Sequence, residues 1–223
     1  GTGNPVNLKN YSLKMSSSGA GWAWNATNSA IDSIYILQLG DILLAADSVY
    51  VICNEAATRT GFRDHVDLFV DGTTGLPGSK IIGYNGNDAI GLFYNNVLVD
   101  VVGPEIVFSA SIPDFDAAGV TGAGADHTLL RKPAIKKGNT NWPASAGTSA
   151  DDSEWIVKEK NDASNLGVHN KVVTSVKRNE TGLTKIYPNP FAETLNITVT
   201  EEISSICISN ITGQTVYINN QVE

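Results

Sequence analysis

The run Asp88-Ala-Ile-Gly-Leu-Phe-Tyr-Asn-Asn-Val-Leu-Val-Asp-Val-Val-Gly103 carries the decisive local signal. Two stretches rich in β-branched and aromatic residues, Ala89–Tyr94 and Val97–Val102, flank Asn95-Asn96. Asparagine tolerates the positive φ that both central positions of a type I′ turn require, and that turn matches the twist of paired strands. The stretch therefore predicts a tight two-residue hairpin. In its second strand, period-two alternation puts Val97, Val99 and Val101 on one face and Leu98, Asp100 and Val102 on the other. Asp100 must then lie on the less buried side or find a partner, because an unpaired buried carboxylate is costly.

Outward from this hairpin the same signal recurs. Short β-branched and aromatic runs, punctuated by Gly, Asn, Asp and Pro, predict strands at Tyr11–Met15, Ile34–Leu39, Tyr50–Cys53, Asp67–Val70, Lys80–Tyr84, Thr128–Lys132 and Trp155–Lys158. Their spacing points to an all-β sandwich or barrel. Three long segments interrupt the pattern: Ser16–Ser33, Gly103–Asp126 and Ala134–Ser153. Loops longer than about 12 to 15 residues are usually functional or mobile. These carry Trp22, Trp24, Phe108, Phe115 and Trp142, which serve either as binding-surface aromatics or, the preferred reading, as pins holding the loops to the core. After Val168 the patterning fades, so we divide the chain into a domain at 1–169, a linker at 170–183 and a second β-rich segment at 184–223.

Composition bounds the function. The chain has 223 residues, 42% of them hydrophobic, enough for one sizeable domain or one and a half. The apolar run Ile34–Ala46 is broken by Gln38, Gly40 and Asp41, and nothing approaches the roughly 18 apolar residues of a membrane span. Fifteen Lys plus Arg against 23 Asp plus Glu leave a formal charge of −8, with a pI near 4.8. Such acidity argues against nucleic acid or anionic lipid as the main partner. Cys53 and Cys207 form no disulfide framework, and each sits in an apolar run where a thiol usually acts as a small buried hydrophobe.

Few side chains form a pattern with chemistry in it. His65, His127 and His169 have no ligand-spaced neighbours and read as surface or loop-packing residues. Asp64, Asp67 and Asp71, near Arg59, Arg63 and His65, are oxygen-rich but lack the EF-hand spacing for Ca²⁺. Gly119-Val-Thr-Gly-Ala-Gly124 lacks the Lys-Ser/Thr of a phosphate loop and joins no strand to a helix. The basic run Arg131-Lys-Pro-Ala-Ile-Lys-Lys137 has no interleaved aromatics and reads as a solvated loop face. The expectation is no catalytic residue, no metal and no cofactor.

Residues 1–169 resemble the lamin-tail domain family. The resemblance is carried by Asn4-Pro-Val-Asn-Leu-Lys-Asn-Tyr-Ser-Leu13, by Leu44-Ala-Ala-Asp-Ser-Val-Tyr-Val-Ile-Cys-Asn54, and most specifically by Asn85-Gly-Asn-Asp-Ala-Ile-Gly-Leu92 with Val99-Asp-Val-Val-Gly103. Leu129-Leu-Arg-Lys132 and Glu154-Trp155 through Leu166-Gly-Val-His169 match its closing pieces. It implies an immunoglobulin-like β-sandwich and no catalytic residues. Physically, Gly86 supplies turn flexibility there and Asn87-Asp88 can cap the turn through local side-chain hydrogen bonds. The family's first strand would lie upstream of Gly1. A truncation, dispensability of that strand, or strand addition from a second copy, which would make a homo-oligomer, each accounts for its absence.

Residues 184–223 are similar to the first half of the C-terminal sorting domain of the type IX secretion system of Bacteroidetes. The signature is Lys185-Ile-Tyr-Pro-Asn-Pro-Phe191, with Leu195-Asn-Ile197, Ile206-Cys-Ile208 and Thr212-Gly-Gln214 behind it. Tyr187, Pro188, Asn189 and Pro190 form the sorting motif, the prolines fixing φ and extending their predecessors. Asp32-Ser33-Ile34 and Asp47-Ser48-Val49 are similar to a short O-glycosylation motif of the same bacteria. Together the resemblances imply a secreted or outer-membrane-attached, non-catalytic β-sandwich for binding, adhesion or scaffolding. Its partners would be the type IX machinery and an extracellular protein or glycan, with tail cleavage in the linker. The alternative is an accessory domain of a larger extracellular hydrolase or nuclease whose catalytic part lies upstream.

Overall fold

A computed structural model describes residues 3–59, 61–73, 75–105, 114–169, 183–187, 196–199, 206–209 and 214–219. The chain divides into two compact units, Gly1–Val172 and Val173–Glu223. The first runs β1 (Val6–Asn7), β2 (Tyr11–Ser16), β3 (Trp24–Asn25), β4 (Ala30–Ile31), β5 (Ile36–Gln38), β6 (Leu43–Leu44), β7 (Ile52–Asn54) and β8 (Leu68–Val70). It continues through β9 (Ala89–Tyr94), β10 (Val97–Val102), β11 (Thr128–Arg131), the short helix α1 (Trp142–Ala146) and β12 (Trp155–Lys158). The second contains β13 (Leu183–Tyr187), β14 (Asn196–Val199), β15 (Ile206–Ser209) and β16 (Thr215–Asn219). The fold is all-β, and among the described pairs only β7 and β8 run parallel.

Four strands in the order β10-β9-β2-β5 make the central sheet of the first unit. Register puts Met15 opposite Ile90, Leu13 opposite Leu92, and Leu37 opposite Leu13, so these side chains share one face. That face packs into a cluster with Leu8, Leu39, Val70 and Ile81. On the other face Ala89 and Val101 join Phe115, Ala117, Ala123, Trp142, Ala146 and Trp155. Trp22 meets Phe93 edge-on at 5.3 Å. Gly91 is required by this packing: a Cβ there would stand 2.7 Å from Leu98 Cδ1 and 2.9 Å from Trp22 Cη2. A sheet covered on both faces needs apolar residues on both, which is why β9 reads as a nearly continuous hydrophobic run.

The hairpin forms as expected, with Asn95 at φ 48° and Asn96 at φ 65° and Val97 paired to Tyr94. The simple alternation in β10 does not hold. Leu98 pairs with Phe93 and Asp100 with Leu92, so Val99 is an extra residue in a β-bulge. Val101 therefore shares a face with Leu98, not with Val97.

Other boundaries shift for local reasons. Ile34 and Tyr35 belong to a 3-10 turn, because the Asp32 carboxylate accepts from the Ile34 N–H at 3.1 Å, and the strand starts at Ile36. Lys80–Tyr84 is a series of turns, not a strand. Ser79 N–H donates to the Leu76 carbonyl and Ile81 N–H to that of Gly78, while Ile81 is buried by turn packing rather than by a ladder. The long segments are pinned to the core by Trp22, Phe115 and Trp142, whereas Trp24 remains 37% exposed and Phe108 lies outside the described residues. Cys53 is a half-buried free thiol, less enclosed than its apolar run implied. Gly86 takes φ +101° in its turn, and Asp88 accepts from Ser18 N–H at 2.7 Å.

The hairpin turn is the most exacting backbone position, since a β-branched side chain at positive φ is strained. Asn96→Val is expected to lower stability by about 1–2 kcal/mol, and Asn96→Gly to be close to neutral, as read from urea unfolding. Equal losses in the two variants would contradict the turn geometry.

Candidate functional site

The densest polar arrangement centres on Arg131 at the end of β11. Its guanidinium donates to Asp100 Oδ2 at 2.5 Å, to Glu154 Oε2 at 2.7 Å and to Ser145 Oγ at 3.1 Å, and it lies 4.5 Å from the Trp155 ring centroid. Asn139 donates its backbone N–H to Asp100 and its amide to Glu154. Trp155 Nε1 donates to Ser145 Oγ at 2.8 Å. The three charged side chains are only 13%, 25% and 20% exposed for Arg131, Asp100 and Glu154. Burial pushes Glu154 upward, but the bonds from Asn139, Arg131 and Ser145 and the Arg131 charge outweigh it and hold its carboxyl below the ordinary range. This pairing supplies the partner that Asp100 demanded. These bonds tie β10, β11, β12 and α1 together, while the buried Arg131 Nε has no hydrogen-bond partner among the described residues.

The remaining residues singled out by sequence are dispersed. The basic run 131–137 is not simply a solvated face: Arg131 is drawn inside, and Lys132 Nζ donates to the Ala150 carbonyl. Asp67 accepts from Val51 N–H at 2.7 Å, while Asp71 accepts from the Thr73 hydroxyl and N–H, bonds that lower its pKa. Arg63 donates to the carbonyls of Glu55 and Ala57 and stacks over Phe69 at 4.3 Å. Arg59 lies over Phe62. Among the described residues no group of three His, Cys, Asp or Glu could hold a metal. His65 and His127 are exposed and His169 half-buried. Gly119–Gly124 closes a reverse turn whose Gly122 N–H donates to Asp116. Ser33 and Ser48 are both exposed.

A feature that motif reading missed is a shallow, open groove of about 490 Å³ beside the central sheet. Its floor is apolar, with Leu37 of β5 and Leu68, Phe69 and Val70 of β8, and among the described residues Asp71 is the one formal charge lining it. No spacing rule could have found it, because β5 and β8 come from segments thirty residues apart and the groove exists only between them.

In the second unit β13 pairs with β14 and β15 with β16, both antiparallel. Along β16, Val216, Tyr217 and Ile218 are 62%, 50% and 60% exposed, so both faces of that strand are uncovered. Tyr187 ends β13, while Pro188, Asn189 and Pro190 lie outside the described residues.

Fold and surface together define an all-β chain. Residues 185–223 match the family of the secretion system C-terminal sorting domain, the type IX sorting tail. The protein is accordingly secreted and attached at the cell surface, with the secretion machinery as a partner. Among the described residues no helix is long and apolar enough to cross a membrane. Neither a curated protein nor a solved structure matches the chain.

Removing the guanidinium strands two half-buried carboxylates. Arg131→Ala is expected to cost about 3 kcal/mol, read from denaturant unfolding; a cost below about 1 kcal/mol would place the cluster with ordinary surface pairs. Because the Glu154 pKa is depressed in the folded state, its contribution is present above the unfolded value of about 4.3 and lost as pH falls through the folded value. Stability should therefore decline below about pH 4.5, and Glu154→Gln should flatten that part of the profile.

Proposed function

We propose that this protein is a non-catalytic module held at the cell surface, serving in binding, adhesion or scaffolding. Its first unit is an immunoglobulin-like sandwich of the lamin-tail kind, and its sorting tail is cleaved off within residues 170–183. The observation that carries the reading is the match of residues 185–223 to the sorting domain. The disposition of the charges supports it further. Arg131 pairs with Asp100 and Glu154, and Asp67, Asp71 and Arg63 serve backbone or turn contacts. The uncovered β16 strand suits a segment that export components grip by main-chain and apolar contact. Tyr187, Pro188, Asn189 and Pro190 give that segment a stiff entry.

The test is deletion of residues 184–223 from the full-length protein in its own host, followed by surface biotinylation and fractionation. The passenger should accumulate in the periplasm. Undiminished surface labelling would contradict the sorting role. Screening the purified chain on glycan and protein arrays should return a surface glycan or protein ligand.

A further inference from the structure

The groove beside the central sheet has two properties that together select its occupant. It is lined by residues of β5 and β8 and by none of β2 or β7; upstream of β5 the outer edge is already used, Gly78 and Lys80 N–H donating to the Ser33 and Ile34 carbonyls, which leaves the stretch at Gln38. The hydrogen-bond phase of both edges follows from single bonds. Leu39 N–H donates to the Tyr11 carbonyl at 3.0 Å; in an antiparallel ladder this turns Leu37 and Leu39 toward β2 and leaves the N–H and C=O of Gln38 pointing away from it. The Gln38 side chain is occupied elsewhere, its amide donating to the Lys9 and Tyr11 carbonyls. On β8, Leu68 N–H donates to the Val51 carbonyl and Glu55 N–H to that of Val70. Leu68 and Val70 therefore face β7, and the main-chain groups of Phe69 face away. Neither Gln38 nor Phe69 has a main-chain partner among the described residues. Beside Gln38 and Phe69 lies the apolar floor, lined also by Ile42 and Leu76, which are 37% and 42% exposed.

We propose that this groove binds an extended peptide segment of a partner protein by strand addition, with apolar side chains at alternate positions and a Lys or Arg beside Asp71. A small molecule or a helix would satisfy the apolar floor but not the edges, because a helix uses its own N–H and C=O groups internally, whereas an extended backbone presents them to both sides. The basic residue follows from charge complementarity: among the described residues Asp71 is the one charge lining the groove, and nearby Arg63 is already held by Phe69 and two carbonyls. The occupant is a strand two or three residues deep in contact, set by the length of β5 and β8. Sequence specificity comes from the alternate side chains and affinity from the main chain.

The inference rests on the surface-module reading and names its ligand class. The experiment titrates the full 223-residue chain with a library of capped octapeptides carrying Val, Ile or Phe at alternate positions, Thr between them, and Lys at one end. A subset should bind saturably at one-to-one stoichiometry and slow the amide exchange of Gln38 and Phe69. N-methylation of a peptide amide that meets either edge should weaken binding about tenfold, the loss of one hydrogen bond. Asp71→Asn should weaken the Lys-bearing peptide and leave its Gln counterpart unchanged. Failure of every member to bind at about 1 mM, equal binding of the methylated peptides, or a self-associated dimer that protects Gln38 and Phe69 would each overturn the proposal. An array ligand that binds while those two amides stay unprotected overturns the strand site and leaves the surface-module reading standing.

Discussion

The Arg131 guanidinium, set between Asp100 and Glu154, is the interaction on which the first unit depends. It stands where the bulged strand β10, the end of β11, the start of β12 and helix α1 converge, and Trp155 stacks on it from the aromatic cluster. Its worth is not the attraction of one ion pair. Two carboxylates left unpaired in that setting would each carry a desolvation penalty of several kcal/mol, so the cation is what permits the strands to approach. The contrast with Lys160 and Asp126 is instructive: that pair is 59% and 72% exposed and gains little, since water competes for both partners. The same clasp brings Gly138 against the bulge, where a Cβ would stand 2.7 Å from Asp100 Cβ. The bulge, the glycine and the ion cluster are parts of one arrangement.

How much of this was legible in the chain depended on how local the cause was. Asn95-Asn96 announced the hairpin because positive φ is a property of two residues and their turn. Trp155–Lys158 and Ala89–Tyr94 were readable because their apolar residues repeat with the pleat. Lys80–Tyr84 misled because Ile81 and Ile82 are adjacent rather than alternating, and Gly78 and Gly83 bracket turns that bury Ile81 without a ladder. The bulge at Val99 was invisible, since nothing in a Val-rich run marks which residue is extra. Arg131 was misread as part of a basic surface run. The clue was there: Asp100 in an apolar strand needed a cation, and Arg131 follows Leu129-Leu130 as the strand is buried.

For function the two units were unequally legible. The sorting segment announces itself through Tyr187-Pro-Asn-Pro190, a linear signal that survives without knowledge of the fold, and residues 185–223 match the corresponding family. The first unit offers no such string. The side chains singled out as chemistry-bearing, Arg131, Asp100, Glu154, Asp67 and Asp71, are engaged with one another or with turns, and beside the apolar floor the first unit presents the outward edges of β5 and β8. Edge strands are usually blunted by charge, proline or cover. Among the described residues a single carboxylate and a neighbouring proline stand at the groove, and the strands are short enough to keep the edge from templating aggregation.

The central claim is that the Arg131 cluster pairs its charges internally and that the first unit offers open strand edges at Gln38 and Phe69. Residue-resolved hydrogen exchange of the free chain tests it most directly. In the absence of any ligand, the amides of Gln38 and Phe69 should exchange far faster than those of Leu37, Leu39, Leu68 and Val70, which donate within the sheets or carry the ladder phase. Protection of Gln38 and Phe69 equal to that of their neighbours would mean that the edges are already closed, and would contradict the account.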